Sequence, residues 1–357
     1  MTEQIELGQR IARMIAAQGP ISIAQFMTIA LHDPRGGYYA TRDPLGADFI
    51  TAPEISQAFG ELLGLWCAKV WYDQGKPAPA RLVELGPGHG TLMADALRAA
   101  RLMPEFLEAI EVVLVETSPV LAAAQKEALH DVPVSTRWVH SVADLPHDKA
   151  QFTIANEFLD ALPIRQFVMT EKGWSERMVG LDASSALTFT LAPAAWNFAV
   201  PPERGEPAPG AVYEFSPPAI ALVEDIARSI AQAGGAALFI DYGYAGTGFG
   251  ETLQAVGDNQ FKGILDAPGA VDLSAHVDFG AMARAARTGG AVAYGPVGQG
   301  AFLEALGIRE RESSLRRFAE SDVSAAIDRL TKPEDMGTLF KALAILPQSA
   351  PAPPGFA

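Results

Sequence analysis

Several acidic and amide side chains stand directly behind short apolar runs, and their types limit the chemistry open to them. Glu84 follows Arg81-Leu82-Val83 and precedes the turn Gly86-Pro87-Gly88-His89-Gly90. Glu116 closes the run Glu111-Val112-Val113-Leu114-Val115, and Asn156 and Glu157 close Gln151-Phe152-Thr153-Ile154-Ala155, with Asp160 close behind. Glycines at 86, 88 and 90 let the backbone turn sharply and approach a ligand without Cβ clashes. Their spacing is GxGxG. A dinucleotide fingerprint asks for GxGxxG, and Thr91 stands where the last glycine would fall. A carboxylate at Glu84 would repel a pyrophosphate by several tenths to a few kcal/mol at an effective dielectric of roughly 20–80. It would attract an ammonium or a sulfonium. The turn therefore suits a nucleotide-like ligand with positive charge and no phosphate, such as S-adenosylmethionine (SAM), better than NAD. An acid placed like Glu116 accepts hydrogen bonds from both ribose hydroxyls, which suits either ligand.

Each of these residues also has a plainer reading. The glycines can form a structural turn and no more. Glu84 can be an exposed charge at a strand end. Glu116 can favour the start of the next helix through its dipole. Asn156, Glu157 and Asp160 can cap a following helix. Thr51 with Glu54 fits a T-x-x-E capping box ahead of Ile55. His32, His89 and the other histidines are too scattered for a metal site, so none is expected.

Such side chains need a parallel sheet to carry them. Short apolar strands at 81–85, 111–115, 137–139 and 151–155 alternate with helical patterns at 91–102 and 119–129. That alternation predicts an α/β fold, a Rossmann-like sheet whose ligand binds at the carboxyl ends of its strands. A further buried strand is expected at 236–240 and a late one at 291–293. Helices are expected at 220–232 and 278–287, with helical pattern from 299 to 346. Residues 164–192 alternate like antiparallel strands. Ahead of the sheet, 1–30 reads as helices with Ser22 as a cap, 33–53 as a long ordered loop and 54–73 as a helix. The expected division is a helical extension and lid loop over 1–80, the core over 81–310 with an accessory insertion at about 164–215, helices over 311–346 and a flexible tail over 347–357.

Over most of its length the chain resembles a known family. The segments Gly36-Gly37-Tyr38-Tyr39, Gly46-Ala47-Asp48-Phe49-Ile50-Thr51-Ala52-Pro53-Glu54-Ile55-Ser56, Val83-Glu84-Leu85-Gly86-Pro87-Gly88-His89-Gly90-Thr91-Leu92, Asn156-Glu157-Phe158-Leu159-Asp160-Ala161-Leu162-Pro163 and Asp241-Tyr242-Gly243 look like those of the MidA family of class I SAM-dependent methyltransferases. The likeness runs from about residue 19 to 347 and includes 267–279. Many members carry Arg where His89 stands, a position that points outward in such turns. The resemblance implies a Rossmann-like methyltransferase sheet and SAM as cofactor. It also implies symmetric dimethylation of an arginine on the large quinone-proximal subunit of respiratory complex I, or of another protein in a bacterial member.

On this reading Glu84, Gly86, Gly88, Gly90, Glu116, Asn156 and Thr51 are the candidate SAM-binding residues. Glu157 and Asp160 are the candidate catalytic carboxylates. A guanidinium is a poor nucleophile because its lone pairs are delocalised and its pKa exceeds about 12. Carboxylates that clamp it can leave one nitrogen nucleophilic and accept its proton. The loop 48–54 is expected to fold over the SAM site as a lid. Three other readings stay open: a small-molecule methyltransferase, a non-catalytic SAM-binding assembly factor, and an NAD-linked oxidoreductase, which Glu84 and the GxGxG spacing disfavour.

Bulk properties narrow the partners. The chain has 357 residues, 49% hydrophobic and 19% charged, enough to bury a sizeable core. Its formal net charge is −15. Phosphate backbones and anionic lipid surfaces are repelled, so neither nucleic acid nor membrane is an expected partner, whereas basic protein segments are. The one cysteine, Cys67, lies in an apolar run and reads as a small buried hydrophobe. No stretch approaches ~18 uncharged apolar residues, and the N-terminus lacks signal and transit-peptide patterns, so a cytoplasmic protein is expected. A free strand edge within 164–192 would offer a homodimer contact.

Overall fold

Short runs of aliphatic and β-branched residues, each bounded by Gly, Pro or a polar residue, form the strands of the central sheet. The structure is a computed structural model that describes residues 2–41, 50–196, 200–317 and 322–356. The strands along the main path of the central sheet are β1 (Ala80–Leu85), β2 (Ile110–Val115), β3 (Thr136–Val139), β4 (Ala150–Asn156), β5 (Gly235–Tyr244), β6 (Val292–Gly298) and β7 (Phe340–Leu346). Their spatial order is β6-β7-β5-β4-β1-β2-β3. The pairs β1–β2, β1–β4, β2–β3 and β4–β5 are parallel, while β7 runs antiparallel to both β5 and β6. Every residue of β1 and β4 is buried, as expected of strands covered on both faces.

Helices flank this sheet: α1 (Gln57–Asp73), α2 (Thr91–Ala100), α3 (Pro119–Ala128), α4 (Pro217–Ala233) and α5 (Phe279–Thr288). Ser56 caps α1 and Ser118 caps α3 through side-chain bonds to backbone N–H groups. Gly90, in the left-handed conformation, stands at the cap of α2 and supplies no side chain there. The core of this layer includes Trp66, Trp71, Phe106, Phe152 and Phe302.

The chain divides into two units. The sheet, with residues Ile50–Leu159, Ile220–Ala245 and Phe279–Ala357, is one; Met1–Phe49, Asp160–Ala219 and Gly246–Asp278 form the other. The boundaries differ from those expected. Residues 50–80 go with the sheet because α1 packs closely on α2: a Cβ at Gly64 would lie 2.5 Å from the Ala96 Cα. Residues 246–278 join the second unit. There, helices Thr2–Gln18 and Ile23–His32 bury Leu7, Ile11, Phe26 and Met27 with Val179 and Leu273. Ser22 and Gln25 form a capping box at the second helix, as the sequence suggested. The expected antiparallel strands appear as Arg165–Thr170, Gly173–Leu181 and Leu187–Trp196. Arg204 and Asp278 form a buried ion pair in this unit.

Two expectations for the C-terminal part are corrected. Residues Phe340–Leu346 are strand β7 rather than the end of a helical run. The segment Phe-Lys-Ala-Leu-Ala-Ile-Leu has good helix formers, but its position between β5 and β6 overrides that propensity. The tail is packed rather than loose. Trp66 Nε1 donates to the Pro354 carbonyl at 3.1 Å, and the rings of Phe302 and Phe356 lie 5.2 Å apart.

Candidate cofactor and methyl-transfer site

Three neighbouring parallel strands end together. Leu85 of β1 is in register with Val115 of β2 and Ala155 of β4, so Glu84, Glu116 and Asn156 gather at one edge of the sheet. A ligand groove is expected at this edge of an open parallel sheet.

Glu84 is buried, with 3% of its surface exposed, which removes the reading of an exposed strand-end charge. Its Oε2 is fully enclosed and has no hydrogen-bond partner. Burial pushes its carboxyl well above the usual carboxylate range. A buried acceptor of this kind costs free energy unless something satisfies it, and an ammonium would do so. The Asn156 Oδ1 is likewise enclosed and without a partner, while its Nδ2 donates to Glu157 Oε1 at 3.2 Å. This pair of unsatisfied acceptors fits a ligand rich in positive charge and donors.

The glycine turn joins β1 to α2 with Gly86, Gly88 and Gly90 all at positive φ, +63°, +55° and +86°. Only glycine takes these values freely. The open faces of two of them are used inside the protein. A Cβ on Gly86 would stand 2.8 Å from Phe158 Cδ2, and one on Gly90 would stand 3.3 Å from Gln125 Cα. His89 is about one-third exposed, consistent with an outward position.

Glu116 follows β2. Its Oε1 accepts from the Ser118 N–H at 2.6 Å and its Oε2 from Gln125 Nε2 at 3.0 Å. Burial raises its carboxyl, and the Ser118, Gln125 and Thr117 donors act against that rise. The carboxylate thus supports the helix entry and keeps further lone pairs for a ligand.

Behind β4 no helix begins: the next element is the strand Arg165–Thr170, so the capping reading of Asn156, Glu157 and Asp160 is overturned. Glu157 has φ +48°, rare for a residue with a side chain. Its N–H continues the sheet by donating to the Ile240 carbonyl at 2.9 Å. Its Oε1 also accepts from the Ala52 N–H at 3.1 Å. Asp241 of β5 shapes the loop: its Oδ2 accepts from the N–H groups of Phe158 and Leu159 at 3.2 and 3.0 Å. Asp160 opens a segment of the other unit, where it is buried and its carbonyl accepts from the Ala275 N–H at 3.0 Å.

Thr51 precedes the short helix Ala52–Ile55 as its cap residue but makes no side-chain cap bond, so the capping box is absent. Glu54 turns elsewhere. Its Oε1 accepts from Thr91 Oγ1 at 2.7 Å and lies 3.5 Å from His89 Nδ1. The expected lid falls partly within 42–49, outside the described residues.

Gln125, Asp241 and Phe158 were not singled out from the sequence as site residues. A polar residue on the inner face of α3, four places after Leu121, is the only trace Gln125 leaves in the sequence.

Residues 62–297 match the family described as "Putative S-adenosyl-L-methionine-dependent methyltransferase". The mouse mitochondrial protein arginine methyltransferase NDUFAF7 is 38% identical, the match covering 93% of this chain and 82% of that protein. The zebrafish protein of the same name is 37% identical over 95% of this chain and 86% of its own. A Burkholderia thailandensis protein solved bound to S-adenosyl-homocysteine (SAH) superposes with a TM-score of 0.84 at 28% identity, covering 100% of this chain and 95% of that one. With a family model spanning most of its length and relatives above one-third identity, this chain belongs to the SAM-dependent methyltransferase family that its motifs anticipated.

Proposed function

We propose that the chain transfers methyl groups from SAM to an arginine of a partner protein, and that the acceptor is the large quinone-proximal subunit of complex I or its equivalent. The arginine acceptor is supported by likeness, over nearly the whole chain, to relatives named protein arginine methyltransferases. The particular subunit is supported by the family resemblance of the motifs. The relatives' names place them in mitochondria, and no helix among the described residues is long and apolar enough to cross a membrane. Action in the cytoplasm is part of the proposal for this chain.

The observation that carries the reading is the strained Glu157 beside Asn156. A positive φ costs a non-glycine residue about 1–2 kcal/mol, and glycine would hold the same backbone without that cost. The position therefore makes sense if its carboxylate has work to do. Bound SAM supplies a methyl on a sulfonium, which an aligned nucleophile displaces in line. In this proposal the Glu84 carboxylate holds the amino group of the cofactor. The turn at Gly86, Gly88 and Gly90 lies along it, and Glu116 accepts from the ribose hydroxyls. Asn156 and Thr51 line the cofactor side. Glu157 receives the guanidinium, biases its charge away from the reacting nitrogen and stabilises the proton that is later released. Asp160, three places on in the chain, remains the second carboxylate candidate.

Labelled SAM, added with this protein to an extract of cells that lack it, tests the reading, with Glu157→Ala as control. A labelled protein carrying dimethylarginine supports it. Label confined to small molecules, or none despite SAH binding by calorimetry, rejects it. A homodimer is the other part of the proposal. The strand Leu187–Trp196 pairs only with Gly173–Leu181 among the described residues, leaving its other edge open. Light scattering should give the mass of two chains; one chain rejects the dimer.

A further inference from the structure

Gln125 is completely buried on α3, although every one of its polar atoms must find a partner there. It finds them at three points that are distant in sequence. Its Nε2 donates to the Gly88 carbonyl at 2.8 Å and to Glu116 Oε2 at 3.0 Å, and its Oε1 accepts from Trp138 Nε1 at 2.9 Å. An indole nitrogen can only donate, and a carbonyl and a carboxylate can only accept. The amide is thus locked in one orientation; turned over, it would face donor to donor and acceptor to acceptor.

From this geometry we infer that Gln125 is a positioning residue for the cofactor, setting the Glu116 carboxylate and the Gly88 peptide so that the site selects a ribose diol. Each Glu116 oxygen is anchored inside the protein, Oε1 by the Ser118 N–H and Oε2 by Gln125, with the Thr117 N–H a further donor to the carboxylate. Two anchored oxygens fix the plane of the carboxylate, which keeps acceptor capacity for the ribose hydroxyls. The same amide draws the Gly88 carbonyl toward α3. Because the peptide is planar and trans, the following N–H, that of His89, is aimed the opposite way. One side chain thus couples the glycine turn to the ribose acid, and Trp138 keeps that side chain from turning. The inference rests on SAM as cofactor and not on the identity of the methyl acceptor.

The test compares SAH with its 2′-deoxyribose analogue by calorimetry on the full-length protein. The wild type should bind SAH roughly tenfold or more tightly than the analogue, the size of one hydrogen bond to a charged group. Binding of SAH by the wild type reports on the cofactor itself, before Gln125 is changed. Gln125→Met keeps the volume and removes the donors and acceptor. It should weaken SAH by about tenfold and the analogue much less, contracting the preference to within about threefold. Trp138→Phe, milder for folding, keeps Gln125 but removes its lock and should contract the preference in the same direction by a smaller factor. A purely structural role would weaken both ligands by one common factor. An unchanged preference for the diol in either folded variant overturns the inference.

Discussion

The backbone N–H of Ala52 donates to the Glu157 carboxylate at 3.1 Å, joining positions 105 residues apart. The same four-residue helix carries Glu54, which accepts from Thr91 at the start of α2. The segment 51–55 is therefore fastened on both sides, to the loop after β4 and to the helix after the glycine turn.

Glu157→Gln keeps an acceptor for Ala52 and removes the charge. Methyl transfer should fall by at least roughly a hundredfold, the range for loss of a positioned acid or base. SAH affinity should stay within about threefold, because the cofactor contacts proposed for Glu84 and Glu116 are untouched. Glu157→Gly should lose transfer equally while relieving the backbone at φ +48°. Single-turnover rates and thermal melts on the two variants check this, and transfer retained by either removes Glu157 from the chemistry.

The role proposed for Glu84 makes cofactor binding depend on pH. Its carboxyl is raised by burial in the free protein. A neighbouring ammonium would lower it again, so binding should release a proton and SAH affinity should rise with pH up to the raised pKa. Stability of the free protein runs the other way. In the window between the ordinary glutamate pKa and the raised one, the folded state holds more protons than the unfolded state, so this group's contribution makes stability fall as pH rises. Glu84→Gln should flatten both slopes, stabilise the free protein at neutral pH and weaken SAH. Calorimetry in buffers of different ionisation enthalpy measures the proton directly; a release that persists in Glu84→Gln assigns it elsewhere.

Much of this edge was legible in the sequence because its signals are local. An apolar run that ends in a carboxylate and a glycine turn, as at 82–90, announces a strand and the end of it at which a ligand is expected. Signals that depend on distant neighbours were not legible. Phe340–Leu346 reads as helix by its Ala and Leu content, and only pairing with β5 and β6 makes it a strand. Gln125 reads as an ordinary helix residue until Gly88, Glu116 and Trp138 are seen to converge on it. The tail reads as mobile from its prolines, yet Pro354 and Phe356 meet Trp66 and Phe302. The division into units was obscured because each draws on three separate stretches of chain.

Gly86 and Phe158 should behave as a coupled pair. Gly86→Ala places a Cβ 2.8 Å from the Phe158 ring and forces a positive φ on alanine. The φ term costs about 1–2 kcal/mol whatever the neighbour does. The contact term disappears if the ring is shortened. Phe158→Ala should therefore recover part of the loss from Gly86→Ala, by about 1 kcal/mol or more in a double-mutant cycle. Strict additivity in denaturant unfolding would mean that the ring moves aside without cost.

Gly64→Ala sets two effects against each other. Alanine is the better helix former by about 1 kcal/mol, so the change should stabilise an isolated helix. In the protein its Cβ would lie 2.5 Å from both the Cα and the carbonyl oxygen of Ala96, backbone atoms of α2 that cannot swing away as a side chain can. Overpacking of this kind typically costs about 1–3 kcal/mol, and a contact this short belongs at the upper end, so the clash should win. The net loss should be about 1–2 kcal/mol. Because α2 begins at the glycine turn, a shift of α2 that relieves the contact would disturb the proposed cofactor site, and SAH affinity should drop alongside stability. Gly64→Ser should do the same with a larger loss. A Gly64→Ala protein that melts higher than the wild type would show that α1 and α2 lie farther apart than the 2.5 Å approach requires.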